Sequence, residues 1–361
     1  MLKLRLLLLG MLSATSLFAQ QSPYLGRWNI TGTGPDTAKI YFLQVTQTGG
    51  QLHGLFLDRV AHATPVAWIR TENGELVWQY GLGEGTAASP KIACGPTYHA
   101  RLEGGKLVGY HQLPGSPTCS AVERARAKAK PAVAAAPARV HTRPPCEAPP
   151  APSTNGHVVH WVGVRQPVWP ASNANGPHTY GAPVALVGPG VSLDVWQKPA
   201  WASCGWSVTD GLLKNSPPTY NLVSKQKFMN FKVDAEFNLD KDQNSGLYLR
   251  GRYELQLMLG AEWMKTITGG RQALMAIYGW HPPLVYAGNP PGEWQTLEAV
   301  VVGNRVTARL NGKLVQNDAT LPAFTGGAVD NKELTPGPIM IQGDHSRVEF
   351  RKLVITPITG N

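Results

Sequence analysis

Asn244 to Leu257 reads N-S-G-L-Y-L-R-G-R-Y-E-L-Q-L. Successive side chains of a strand point to opposite faces, so residues i and i+2 share one. Glu254 and Gln256 therefore lie on one face, and Tyr253, Leu255 and Leu257 on the other. One face is apolar enough to pack on a core. The other carries a carboxylate and an amide, with Arg250 and Arg252 close by. Taken alone, that polar side reads as a solvated outer face. Gly251-Arg252 breaks the run into a hairpin, 247–250 against 253–257. A strict two-residue turn sets Leu249 opposite Glu254 and sends Arg250 to the other face. Only an odd number of turn residues, or a bulge, brings Arg250 to Glu254. Glu254 and Gln256 are the firm same-face pair; Arg250 is conditional.

The surrounding sequence repeats the pattern. Trp206-Ser207-Val208 passes through Thr209-Asp210-Gly211 to Leu212-Leu213, a hairpin. Phe228 to Leu239 alternates, with Phe231, Val233, Ala235 and Phe237 inward. Leu274–Tyr278, Trp294–Val302, Arg305–Leu310, Lys313–Gln316, Ile339–Gln342 and Val348–Ile355 read as further strands, with turns at Gly303-Asn304 and Asn311-Gly312. Many short antiparallel strands between 184 and 358 predict a two-sheet jelly-roll sandwich, a fold that holds glycans on its concave face.

Upstream the strands are equally short. Gly26-Arg27-Trp28 opens a run followed by Ala38–Thr46, Gln51–Asp58, Val66–Arg70, Glu75–Tyr80, His99–Leu102 and Lys106–His111. Gly49-Gly50, Asn73-Gly74 and Gly104-Gly105 mark the turns. A meander of this length closes on itself to remove its edges, predicting a small up-and-down β-barrel. The Gly-x-Trp opening resembles lipocalin- and avidin-like barrels, in which the Trp, here Trp28, plugs one end. His157–Arg165 is the predicted last strand, so the barrel domain spans 20–168. It is interrupted by the Pro/Ala/Lys-rich stretch 121–153, which lacks the apolar bulk to fold and is expected to be disordered.

The whole chain is thus predicted all-β. Met1 to Ala19 has the charges and short apolar run of a signal peptide, which predicts a periplasmic or extracellular protein. No stretch has the length of a membrane span. Of the formal net charge of +10, +2 belongs to Lys3 and Arg5 and +5 to residues 121–145. The basicity is concentrated in tail-like sequence, which argues against nucleic-acid binding and leaves loose cell-surface attraction through 121–145. Cys94, Cys119, Cys146 and Cys204 suit disulfides in an exported chain. Cys94–Cys119 is the favoured pair and Cys119–Cys146 its rival.

The second domain resembles the 3-keto-disaccharide hydrolase domain family, a concanavalin-A-like jelly roll. The matching pieces are L-D-V-W (193–196), W-S-V-T-D-G-L-L (206–213), N-S-G-L-Y-L-R-G (244–251), Y-E-L-Q (253–256), A-I-Y-G (276–279), G-E-W-Q (292–295), A-R-L-N-G-K-L-V (308–315), G-P-I-M-I-Q (337–342) and H-S-R-V-E-F-R-K-L (345–353). They run in the family's order through nearly all of 184–358. The family opening is degraded to L-V-G-P-G-V (186–191), and Lys352 stands where Asn is common.

The resemblance implies cleavage of 3-keto-glycosides. Ordinary glycosidases need two carboxylates flanking the bond, and Glu254 is alone on its strand. A ketone at C3 removes that requirement, because it acidifies the hydrogen at C2 and permits β-elimination of the C1 substituent, with water adding back. The route needs a base, an acid and a cradle for the enolate oxygen. Glu254 and His345 are the candidate catalytic pair. Arg250 and Gln256 are expected to position the ketone and hydroxyls, Tyr278 and Trp280 to stack on the ring, and Arg351 to bind substrate. No cofactor is required by this route. A divalent metal held by Glu254 and His345 is the alternative electrophile. The competing reading is a carbohydrate-binding protein that uses the same face without catalysis.

Overall fold

The computed structural model describes residues 21–58, 62–80, 96–112, 156–199, 202, 205–217, 219–260 and 267–360. The leader, the basic stretch 121–153 and all four cysteines lie outside these residues, and with them the expected cleavage, disulfide and cell-surface contact. The chain is all-β. Among the described residues no helix is long and apolar enough to cross a membrane.

The first sheet holds β1 (Gly26–Gly32), β2 (Ile40–Thr48), β3 (Gln51–Leu57), β4 (Thr64–Pro65), β5 (Trp68–Glu72), β6 (Glu75–Gln79), β7 (Thr97–Glu103), β8 (Lys106–Gln112) and β9 (Val158–Arg165). Their order is β4-β3-β2-β1-β9-β8-β7-β6-β5. The turns at Gly49-Gly50, Asn73-Gly74 and Gly104-Gly105 have positive φ at both positions. That backbone twist matches paired strands and fixes each register. β9 pairs with β8 on one side and β1 on the other, so residues 158–165 belong to this sheet. The sheet curls until its ends meet. Val66 N donates to Gly54 O of β3 and Ala67 N to Gln79 O of β6, each at 2.9 Å. Trp28, Trp78, Trp161, Tyr98 and Phe56 fill the interior. Trp28 is fully buried, donates through Nε1 to Tyr24 O at 2.9 Å and carries the Arg165 guanidinium over its ring.

The second domain holds β10 (Thr179–Tyr180), β11 (Val184–Val187), β12 (Trp196–Gln197), β13 (Trp206–Thr209), β14 (Leu212–Asn215), β15 (Leu222–Phe228), β16 (Phe231–Asn238), β17 (Asn244–Leu249), β18 (Tyr253–Met258), β19 (Gln295–Val302), β20 (Arg305–Leu310), β21 (Lys313–Thr320), β22 (Gly337–Ile341) and β23 (Glu349–Gly360). One sheet runs β13-β14-β23-β16-β19-β20-β21, with β10 and β11 also on β23. The other runs β12-β15-β22-β17-β18. The alternation of β16 buries Phe231, Val233, Ala235 and Phe237 between the sheets. Leu247, Leu249, Tyr253, Leu255 and Leu257 meet them from the five-stranded sheet. This is the predicted sandwich.

Leu274–Tyr278 departs from expectation. It is a chain of turns, with Met275 at φ 63° and single bridges from Ile277 to Leu255 and His281. Met275 N donates to Gln256 O and Gln256 N to Ala276 O. The segment therefore caps the edge of β18 without extending the sheet.

Candidate active site

The site grows from the β17–β18 hairpin. Its turn holds Arg250, Gly251 and Arg252, with Leu249 opposite Tyr253. Arg250 and Gly251 adopt φ 55° and 64°. An odd turn length shifts the register by one from the two-residue alternative. Tyr248, not Leu249, therefore opposes Glu254, and Gly246 opposes Gln256. Opposed residues share a face. Asn244, Gly246 and Tyr248 thus join Glu254 and Gln256 on the face turned away from the sandwich core.

Gly246 leaves the space that Glu254 fills: a Cβ at 246 would stand 2.3 Å from Glu254 Oε1. Neighbouring strands complete the floor. Asn221 precedes β15 and Gln342 follows β22, with Gln342 N donating to Gly246 O. Tyr278 enters from the turn segment, its N–H donating to Glu254 O at 3.0 Å. Gly326-Gly327 closes one wall and Asp344-His345 another. These residues line a pocket of about 110 Å³. A larger, shallower concavity of about 840 Å³ on the barrel, lined by Gln47, His53, Trp68 and Arg70 among others, has no carboxylate in its lining.

Glu254 is 3% exposed. Burial pushes its carboxyl up to about 8, further raised by Asp344 and partly offset by the Tyr248 hydroxyl. Burial thus favours its protonated, neutral form. The Tyr248 hydroxyl lies 2.9 Å from both Glu254 Oε2 and Gly326 O. It has one proton. With Glu254 protonated, the carboxyl O–H donates to Tyr248, and Tyr248 donates to Gly326. With Glu254 ionised, Tyr248 donates to the carboxylate. The Gln256 amide, turned so that its nitrogen meets acceptors, donates to Glu254 Oε1 at 3.2 Å and Ser245 O at 3.1 Å. Burial, with Glu254 next, raises Tyr278 to about 12. His345 Nδ1 pairs with Asp344 Oδ1 at 2.7 Å, and this bond raises the imidazole above its usual value. With Nδ1–H held, Nε2 is the nitrogen that takes a proton.

Glu254, Gln256, Tyr278 and His345 are thus brought together, and Arg250, Trp280 and Arg351 are not. Arg250 is drawn into the turn. Its Nη2 donates to Gly303 O, and its guanidinium lies 5.0 Å from the Trp169 ring and 5.1 Å from that of Tyr253. Burial lowers it to about 10, still cationic. Trp280 stands edge-on to Phe42 at 5.8 Å and donates through Nε1 to Phe324 O. Arg351 is on the other sheet, paired with Glu236 Oε2 at 2.5 Å and lying over Trp294. Among the described residues the pocket lining holds no Lys or Arg. Its donors are the neutral amides and hydroxyls of Asn221, Asn244, Gln256, Tyr278 and Gln342. Among the described residues no group of three or more His, Cys, Asp or Glu side chains is placed to hold a metal.

Tyr248, Asn221, Gln342 and Asp344 were not singled out by sequence. Tyr248 is hidden in the apolar run Leu247-Tyr248-Leu249, and only the turn length reveals its partner. Asp344 precedes His345 directly, and that adjacency was a usable signal.

Residues 183–356 match the family described as the 3-keto-alpha-glucoside-1,2-lyase-like domain. The second domain belongs to this family. The lyase-like domain is accordingly of a carbohydrate-active, hydrolase-like kind, and the match leaves the barrel outside it. No curated protein matches the chain at a comparable standard. Among solved structures, two from Parabacteroides distasonis ATCC 8503, each described as a "putative glycosyl hydrolase", share 23% identity with TM-scores of 0.41. They cover 50% and 49% of this chain and 90% and 100% of their own. A third from the same organism, at 19% identity and TM-score 0.39, covers 48% of this chain and 92% of its own.

Proposed function

We propose that the lyase-like domain cleaves 3-keto-glycosides by elimination at C1–C2 followed by hydration, with Glu254 as the acid. The observation that carries the reading is the Glu254 carboxyl, buried at the floor of a polar pocket whose described lining holds no Lys or Arg. An acid of this kind suits protonation of a leaving oxygen. His345, oriented by Asp344, is the base. Its Nε2 takes the proton from C2, and the electron pair moves onto the C3 oxygen as an enolate. Collapse of the enolate forms C1=C2 and breaks the C1–O bond, while Glu254 protonates the departing oxygen. Water then adds at C1 and a proton returns to C2, giving net hydrolysis.

The enolate oxygen needs hydrogen-bond donors. With no Lys or Arg in the described lining, the neutral donors of Asn221, Asn244 and Tyr278 take that role, beside the His345 imidazolium that proton abstraction leaves. Asn221 Oδ1 accepts from Gly343 N at 3.0 Å, which leaves its NH₂ as the group that can donate. Gln342 Oε1 is buried without a hydrogen-bond partner among the described residues, an acceptor suited to a sugar hydroxyl.

Incubation with 3-ketotrehalose or a chromogenic 3-ketoglucoside tests the proposal. Release by the wild type that is lost in Glu254→Ala supports it. Binding without release by the wild type supports the non-catalytic carbohydrate-binding reading.

A further inference from the structure

The strand β2 is buried on both faces. Tyr41, Leu43 and Val45 point into the barrel, whereas Ile40 and Phe42 point out of it and are 5% and 0% exposed. An outward apolar pair on a small barrel needs a cover. The cover is residues 321–331 of the lyase-like domain. Ala323 and Phe324 are buried against Ile40, Phe42, Leu57 and Ala63. Phe324 and Trp280 both meet the Phe42 ring edge-on.

Polar bonds hold the same segment. Gln166 Nε2 donates to Pro322 O at 2.7 Å, and Arg27 Nη1 donates to that oxygen at 3.3 Å. Asn331 Nδ2 donates to Ile30 O at 3.0 Å and to Thr31 Oγ1 at 2.9 Å. Asn29 Nδ2 donates to Asn331 O at 3.3 Å. β1 thus holds both ends of the segment, Arg27 at Pro322 and Asn29 to Thr31 at Asn331, and Phe42 of β2 packs on Ala323 and Phe324 between them.

The opposite side of this segment faces the pocket. Thr325 Oγ1 accepts from Glu254 N at 3.1 Å, and Thr325 N donates to Arg252 O at 2.8 Å. Gly326 O meets the Tyr248 hydroxyl. Gly327, at φ 78°, lies so close to Tyr248 that a Cβ would stand 2.8 Å from its hydroxyl. Two successive glycines have no preference for this path and lose more freedom than other residues when held to it.

We propose that the barrel is a positioning part of the active site. By clamping 321–331 through Phe42 and Asn331, it sets the Gly326 carbonyl against Tyr248 and keeps water from Glu254. Asn331 is the positioning residue; it is outside the pocket lining and touches no reacting group. The functional consequence rests on the reading of Glu254 as the acid, whereas the clamp itself does not.

The test is Asn331→Ala in the full chain, with Asn29→Ala as a second variant that loosens the same segment by a different bond. Three readouts are expected to move together. Turnover of a 3-ketoglucoside falls roughly tenfold, mainly in kcat. The alkaline limb of the pH profile shifts down as Glu254 gains water. Amide exchange across 325–328 speeds up, while the cooperative unfolding transition is retained. A purely structural loss would lower the transition without moving the pH profile. If both variants keep the wild-type exchange rate at 325–328 and the wild-type Glu254 titration, followed by carboxyl NMR, the barrel is a bystander and the proposal is wrong. If the wild type turns over no 3-keto substrate, the acid reading fails separately, and the NMR and exchange measurements still decide the clamp.

Discussion

The two ends of the β17–β18 hairpin bury charge in opposite ways. At the turn end, Arg252 is 1% exposed and pairs with Asp330 at 2.5 Å, with a further bond to Thr335 O. Burial pushes Asp330 up, but the bonds from Arg252 and the Lys332 N–H, with the charges of both residues, together outweigh it, and the carboxyl sits below its usual value. Glu333, close by, is raised to about 7 by burial, moderated by bonds from Gln166 and Trp169 and by Arg250 and Arg252. At the pocket end Glu254 bonds to a hydroxyl and an amide and, among the described residues, to no Lys or Arg, and burial raises it to about 8. The hairpin thus separates its guanidinium groups from its carboxyl. Asp330, bonded directly to Arg252, keeps its charge, whereas burial without such a bond favours a protonated carboxyl at Glu254 and, more weakly, at Glu333.

The largest expected effect is at the pocket end. Glu254→Gln should reduce turnover by roughly 10²–10⁴-fold, the usual contribution of a positioned acid. The same variant should gain stability at alkaline pH. In the wild type, a folded value near 8 against an unfolded 4.5 means that the folded state binds the extra proton between those limits. Stability therefore falls as pH rises through that window. Above it, the Gln variant should exceed the wild type by on the order of a few kcal/mol in urea unfolding. Equal stability at both pH extremes would break the comparison.

At the other end, Arg252→Met should cost about 2 kcal/mol by urea unfolding. Asp330 is 30% exposed, so water compensates part of the lost pair. The loss should be greatest above the acidic range and shrink at low pH as Asp330 takes a proton. Tyr248→Phe sharpens the pocket end. The hydroxyl lowers the Glu254 value, so its removal should move the alkaline limb upward, with turnover down about tenfold. Arg351→Ala should change stability by less than about 1 kcal/mol, as for any exposed pair. Turnover should stay within about twofold, because the residue is on the other sheet.

The fold was legible where local chemistry decides it. Gly49-Gly50, Asn73-Gly74, Asn311-Gly312 and the alternation of Phe231 to Phe237 mark turns and core faces without tertiary help. Glu254 and Gln256 follow from alternation alone. What sequence missed depends on register or on long-range cover. The three-residue turn at Arg250-Gly251-Arg252 sets Tyr248 opposite Glu254, but it takes up Arg250 itself at φ 55°, so the odd length that could have admitted Arg250 leaves it in the turn. Ala38 to Thr46 reads as alternating, yet Ile40-Tyr41-Phe42-Leu43 is a continuous apolar run of a strand covered on both faces. Leu274–Tyr278 has the composition of a strand, but the positive φ at Met275 turns it across β18. Trp280 and Arg351 satisfied a residue-type argument for sugar contact, and tertiary packing used them elsewhere.

The most direct measurement is the pH dependence of aglycone release from a chromogenic 3-ketoglucoside by the wild type and Glu254→Gln. Wild-type release is expected to fade as pH rises through about 8, where Glu254 loses its proton, with no comparable release by the Gln variant at any pH. Wild-type rates matched by Glu254→Gln, or no release by the wild type across the whole pH range, would contradict the acid role of Glu254.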